Sequence, residues 1–463
     1  MLYYSFPKRF RNYVALGGSL FFYAWGAPRI VFLLIVSSLS DYIVALVMKQ
    51  VGEDQPKRKL LLGFAVCANV SLLGYFKYSN FFVHEFNSLI SHFGFASIQW
   101  TEIVLPIGIS FFTFQKISYV VDVYRKTTKP AESFSGYLLY VVLFPQLIAG
   151  PIIRYHDIFE QIGNRKYSLE DFFEGMFRFA LGLGKKVLIA NQLGEVSDKI
   201  FSVAPASVPV SYAWLGVVCY SFQIYFDFSG YSDMAIGLGR MMGFRFLENF
   251  NMPYISRNIT EFWHRWHISL SNWMKEYLYI PLGGNRVSNF RKYVNLWIVF
   301  LISGIWHGAD WTFLLWGAYH GFFLTLDKLF LRASTLKVHK VLSIALCYLI
   351  VLFSWVIFRS PDAGYALQYS LRMLGLTNYV PAPTLIVWQD FLTNRGLFVL
   401  CLAAFISFFP AFGIYDRVRQ QLAASTSENA WYGVRFASLM VVAVLSILAL
   451  SNAKFNPFIY FRF

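Results

Sequence analysis

The stretch FWHRWHISLSNWMKEYLYIPLGGNR, Phe262 to Arg286, gathers two histidines, three tryptophans and charges of both signs in a chain otherwise dominated by apolar side chains. A second island, GIWHGADW from Gly304 to Trp311, sets His307 and Asp310 just after Trp306, where hydropathy alone would put bare hydrocarbon. Burying an ionisable group in a membrane-embedded stretch costs several kcal/mol unless it is paired or lines a cavity, so such a residue marks a candidate site by default. A neutral imidazole takes a proton from a hydroxyl near neutral pH, which is what acyl transfer to an alcohol requires. The alternative for His307 is a hydrogen bond that packs two helices. Asp310, three residues on, shares a helical face with His307 and is placed to fix the tautomer of its ring. Gly304 and Gly308 leave room for another backbone or a ligand.

Read as one helix over residues 261–277, the first island puts Trp263, Trp266, Leu270, Trp273, Met274 and Tyr277 on one face and Arg265, Ser269, Asn272 and Glu276 opposite. His267 then falls at the edge of the apolar face and is expected to meet packed protein. His264 is expected to meet water or headgroups. For an interfacial histidine taken alone, a structural ring satisfied by backbone is the commoner role. Pro281 and Gly283-Gly284 end the helix. Arg286 beyond them serves either as an interfacial anchor or as a contact to phosphate or carboxylate. His320, off the His307 face, reads as structural.

Other site chemistries fare less well. His264 and His267 are i, i+3, but no HExxH, cysteine pair or carboxylate cluster completes a metal set, so no metal is expected. LGLGKK, Leu181 to Lys186, is neither a P-loop nor GxGxxG, and GxSxG is absent; ATP hydrolysis and a resident serine hydrolase are set aside. QIYFDFSGYSDMAIG, Gln223 to Gly237, carries Asp227 and Asp233 at the end of a hydrophobic run. The two carboxylates are placed to share a cavity, or one of them caps a helix.

These islands need a scaffold, and the composition names its class. Hydrophobic residues make up 57% of the 463, charged residues 14%, and the mean hydropathy is +0.49, which describes an all-α polytopic membrane protein rather than a soluble one. Aromatics at 20% suit a lipid-embedded core with interfacial belts. The net charge of +15 comes from short Lys/Arg clusters between apolar runs, so anionic headgroups are the expected partner and nucleic acid is not. The four cysteines lie in apolar runs without a CxxC pair and read as small buried hydrophobes.

Apolar runs recur near residues 13–27, 30–48, 60–76, 102–121, 136–150, 173–191, 208–228, 293–305, 311–327, 341–358, 396–413 and 434–450. A span takes about 20 apolar residues, so the shorter runs are tilted, interfacial or re-entrant, and about ten to twelve membrane-embedded helices are expected. The hairpin-length link APRI leaves Lys8, Arg9, Arg11, Lys49, Lys57, Arg58 and Lys59 on one side, which the positive-inside rule makes cytoplasmic. No small-residue cleavage site follows PKRFR, so the first segment is expected to stay as an anchor. Residues 240–292 read as an amphipathic interfacial region. No repeat or linker divides the chain, which is expected to form one integral unit over 1–463 with its motif-bearing core at about 60–325 and further helices over 341–463.

Taken together, GYFKYSNFF from Gly74, LPIGISFFTFQKISYVVDVYR from Leu105, LFPQLIAGPIIR from Leu143, QIYFDFSGYSDMAIG, the first island and GIWHGADWTFLLWG resemble the membrane-bound O-acyltransferase superfamily. Within it they resemble the bacterial branch that holds the alginate O-acetyltransferase membrane subunit and the D-alanyl transferase of teichoic-acid modification. The resemblance implies that His307, in WHG, is the membrane-embedded histidine of acyl transfer and His267, in RWHISLS, the second signature histidine. It also implies a ring-like bundle of helices around a central buried histidine where tunnels from the two leaflets meet, with Trp306, Asp227, Asp233 and Arg286 as tunnel-lining candidates. No permanently bound cofactor is implied. A cytoplasmic acyl thioester, acetyl-CoA or an acyl carrier protein, would supply the acyl group. The acceptor would be a secreted or cell-surface polysaccharide, reached through an extracytoplasmic acetyltransferase or esterase-like partner, alongside the polysaccharide synthesis machinery, at the bacterial inner membrane. Members of the alginate type begin with a further apolar segment ahead of the position matched by LYYSFPKRFRN, which opens this chain. The rival readings are a D-alanyl transferase, an acyltransferase for a lipid or protein hydroxyl, and a transporter for the polymer or an acyl carrier.

Overall fold

The computed structural model describes residues 2–148, 150–331, 339–381, 391–412, 428–452 and 458. The remainder of the C-terminal region expected as helices over 341–463 lies outside these residues. Every regular element among the described residues is helical. Among the described residues five helices are long and apolar enough to cross a membrane: Ile30–Gln50, Gln55–His92, Lys340–Arg359, Asn394–Ala411 and Tyr432–Ser451. The other helices expected from apolar runs are shorter or more polar, in keeping with tilted and re-entrant segments. The chain divides into two compact units, one of residues 1–176, 235–247 and 275–277 and one of residues 177–234, 248–274 and 278–463.

The first unit is built on α1 (Arg11–Gly26), α2 (Ile30–Gln50), α3 (Gln55–His92), α4 (Ile109–Tyr124), α5 (Phe134–Val142) and α6 (Tyr155–Gly163). Asp54 and Ser133 cap α3 and α5 by accepting from Lys57 N and Gly136 N. Its core is aromatic: Tyr119 packs 4.2 Å from Tyr137 and edge-on to Tyr155, and the buried hydroxyl of Tyr140 donates to the Ile153 carbonyl at 2.9 Å. Two kinds of buried charge enter this core, one paired with an opposite charge and one held by backbone carbonyls. Lys116 meets Asp41 at 3.3 Å, and Asn69 donates to the same carboxylate at 2.8 Å, all three fully buried. Arg58, expected among the headgroup-facing cations, is instead buried and donates to the carbonyls of Met48, Gly52, Val123 and Tyr124. It neutralises the helix ends of α2 and α4, where the carbonyls have no intrahelical partner.

The charges at the end of the first island also belong to this unit. Glu276 takes Arg154 at 2.5 Å, while Arg154 also holds Asp157 at 2.8 Å. Tyr277 donates to Asp122 at 2.8 Å, and His156 bridges Asp122 at 2.8 Å and Asp157 at 3.4 Å. Hydrogen bonding to Asp122 raises the His156 pKa above the ordinary histidine value; burial opposes this, and the charges of Asp122 and Asp157 add to it.

The second unit holds the end of α7 (Leu169–Gly184), α8 (Asn191–Phe201), most of α9 (Val210–Met241), then α10 (Ile259–Arg265), α11 (Ile268–Met274), α12 (Asn289–His307), α13 (Trp311–Leu326), α14 (Lys340–Arg359), α15 (Ala363–Met373), α16 (Asn394–Phe408) and α17 (Glu428–Asn452). Its core runs through Phe222, Tyr254, Phe262, Trp266, Trp316, Trp355 and Phe358. Helices α12 and α13 approach so closely that a Cβ on Gly304 or Gly317 would fall under 3.0 Å from backbone of the facing helix.

Candidate active site

The helix expected over residues 261–277 is broken. Helix α10 stops at Arg265, α11 begins at Ile268, and a π-turn follows over Lys275–Tyr279. His267, in the break, has a φ of 45°, a left-handed conformation unusual for a residue with a β-carbon. The break is held from outside the helix: Asn251 N donates to the Arg265 carbonyl and Ile268 N to the Asn249 carbonyl, each at 2.9 Å. The result drives His267 from the edge of an apolar face to full burial. His264 is exposed, as its helical position predicts.

Around His267 stand Phe228, edge-on at 4.7 Å, and Phe250, stacked at 6.5 Å. Its Nδ1 lies 3.1 Å from Asn249 Oδ1. Trp306, on α12, lies 6.2 Å from the His267 ring and 4.9 Å from the His307 ring. The two histidines, forty positions apart, therefore lie against one indole.

His307 is the last residue of α12 and nearly buried, at 9% exposure. Three aromatic rings meet it at steep angles: Trp306, Trp316 on α13 at 5.0 Å and Phe358 on α14 at 5.4 Å. These rings leave the imidazole little exposed to solvent.

Helix α12 does not run on to Asp310. Gly308 closes it, and Asp310 is the N-cap of α13, exposed, accepting from Thr312 N at 3.0 Å and Thr312 Oγ1 at 3.2 Å. The helical register that would set its carboxylate over His307 is absent. Asp227 and Asp233 lie on α9, and each meets lysine from the GKK stretch: Lys186 pairs with Asp227, and Lys185 meets Asp233 at 2.6 Å. Arg178 adds a second cation to Asp233 at 2.6 Å. Both carboxylates are buried and ion-paired, Asp227 with the buried Lys186 and Asp233 with two cations that remain partly exposed. Arg286 is exposed on the turn after Gly283 and Gly284, whose φ values of 108° and 54° favour glycine. His320 is fully buried and accepts from Trp263 Nε1 at 3.3 Å, the structural role expected of it. Among the described residues no group of three metal-ligating side chains converges.

Asn249 is the residue that reading the chain missed. It stands in ENFNMPY, within a stretch taken only as interfacial. The available signal was a polar, proline-containing segment too short for a helix, directly ahead of the histidine island.

A family model for the membrane-bound O-acyltransferases matches residues 131–362. A protein of Pseudomonas putida named a probable alginate O-acetylase is 40% identical over all of this chain and 96% of its own length. A peptidoglycan O-acetyltransferase of Helicobacter pylori is 41% identical over 77% of the chain and 72% of its own. A teichoic acid D-alanyltransferase of Bacillus subtilis is 28% identical over 48% of the chain and 59% of its own.

Proposed function

The chain belongs to the membrane-bound O-acyltransferase family and is an O-acyltransferase of the membrane, and from that membership we propose that it supplies acetyl groups for O-acetylation of a secreted or cell-surface polysaccharide. The donor is a cytoplasmic acyl thioester, acetyl-CoA or an acyl carrier protein. An extracytoplasmic esterase-like partner completes delivery to the polymer, and the site of action is the bacterial inner membrane. Acetyl is favoured over D-alanyl because the relatives named for acetyl transfer match the chain over far more of its length at higher identity.

The observation that carries the assignment of the site is the meeting of His307 and His267 against Trp306. In this reading His307 withdraws the proton from the acceptor hydroxyl, or polarises it, as the acyl carbonyl is attacked. His267 assists from the other side of the indole or contacts the donor. General base help is worth about 10²–10⁴ in rate, so His307→Ala reduces transfer by about that factor while the protein still accumulates in the membrane.

The test is mass spectrometry of surface polymer from cells with wild type, His307→Ala or no copy, at matched membrane levels. An acetyl mass shift that only wild type produces is the expected result, and a D-alanyl shift would reassign the acyl group. Polymer acylated equally in all three, with export falling only on deletion, would point to a transporter and return His307 to a packing role.

A further inference from the structure

The hydrogen bonds of Asn249 determine which nitrogen of His267 carries the proton. Its Oδ1 accepts from the backbone N–H of Ser269 at 3.2 Å and from Ser269 Oγ at 2.9 Å, and its Nδ2 donates to Ser232 Oγ at 3.0 Å. A backbone N–H can only donate, so the atom facing Ser269 is the oxygen and the amide has one orientation. That same oxygen stands 3.1 Å from His267 Nδ1. An amide oxygen has no proton to give, so the proton between them belongs to Nδ1, and in the neutral ring Nε2 carries the lone pair.

We propose that Asn249 is a positioning residue that holds His267 as its Nδ1–H tautomer, so that the ring presents Nε2 to the acyl-transfer site as a hydrogen-bond acceptor. The proposal rests on the reading that His267 takes part in the reaction. The backbone points the same way. A left-handed non-glycine residue is strained and persists only where its surroundings over-determine it. Here Asn249 supplies much of that determination, through its side chain to His267 and Ser269 and its carbonyl to Ile268 N. A purely apolar packing ring would need neither the strain nor the oriented amide.

The test uses full-length protein labelled with ¹⁵N-histidine in lipid bilayers, with polymer acylation measured in the same strains at matched membrane levels. The spectrum of wild type minus that of His267→Gln isolates the one ring. The expected signature is a protonated Nδ1 and an unprotonated Nε2. Asn249→Ala shifts the ring towards the Nε2–H form and lowers acylation at least about tenfold. Asn249→Asp, which keeps an acceptor at the same place, retains the proton on Nδ1 and recovers acylation relative to alanine. An unchanged ring signature with undiminished acylation in Asn249→Ala, while His267→Gln is inactive, overturns the proposal and leaves the role of His267 standing. Full acylation in His267→Gln overturns that role and the proposal with it. Should Asn249→Ala fail to accumulate, an Nε2–H ring in Asn249→Asp is the overturning result.

Discussion

Gly304→Ala tests how the structure holds His307. Gly304 lies three residues before His307 on α12, and a Cβ there would fall under 3.0 Å from the Phe313 carbonyl oxygen and 3.2 Å from the α-carbon of Gly317. Both obstacles are backbone, so no flexible tip can move aside. Carbon normally stands about 3.3 Å or more from a carbonyl oxygen, which requires α12 and α13 to part by about 1 Å. Overpacking of this kind costs about 1–3 kcal/mol of stability. The same movement shifts the His307 ring from Trp316, its partner on α13 at 5.0 Å. A displacement of about 1 Å at a reacting group costs about 10²-fold in rate. Gly321→Ala is the control on the same helix pair, since its Cβ would stand 3.4 Å from the Trp297 ring, a distance at which only a small adjustment is needed. The assay is acyl content of surface polymer per membrane-inserted protein, with melting of the detergent-purified protein read in parallel. Gly304→Ala is expected to melt lower and to lose about 10²-fold in acylation, with Gly321→Ala close to wild type in both. Wild-type melting and transfer in Gly304→Ala would refute the close-approach argument. Lower melting with full transfer per folded molecule would show that the placement of His307 by this helix pair does not govern the reaction.

Two further outcomes follow from the same geometry. Asp310→Ala removes the α13 cap and is expected to cost about 1 kcal/mol, whereas Asp310→Ser restores a cap and recovers both stability and acylation; a serine variant that is stable but inactive would show that the carboxylate itself is required. The raised His156 pKa makes the imidazolium clamp on Asp122 and Asp157 fully stabilising below the ordinary histidine value and lost as pH rises through the higher folded value. The melting advantage of wild type over His156→Gln should therefore be present at about pH 6 and shrink with rising pH. An advantage that grows with pH would contradict the sign of this linkage.

Most of the architecture is legible in one dimension because a bilayer leaves few choices: apolar runs must become helices, and the motifs place the chain in its family. The exposure of His264 also reads correctly, since it follows from residue spacing within a short helix. Asp310 shows where periodicity fails. The stretch HGAD carries a glycine stop and an aspartate start, two boundary signals that the helical-face argument overrode, and the structure uses both. The break at His267 is a different case, because WHRWHISLS contains neither glycine nor proline and nothing local ends the helix. What ends it is a tertiary pairing with residues 249–251, and a left-handed histidine is stable only once those partners are in place. The orientation of a candidate catalytic ring therefore depends on an asparagine eighteen residues away, whose importance no spacing rule could assign. That dependence gives one of the island's aromatics a purpose: Trp266 packs 5.0 Å from Phe250, fastening the 249–251 segment to the break beside the ring that the segment positions.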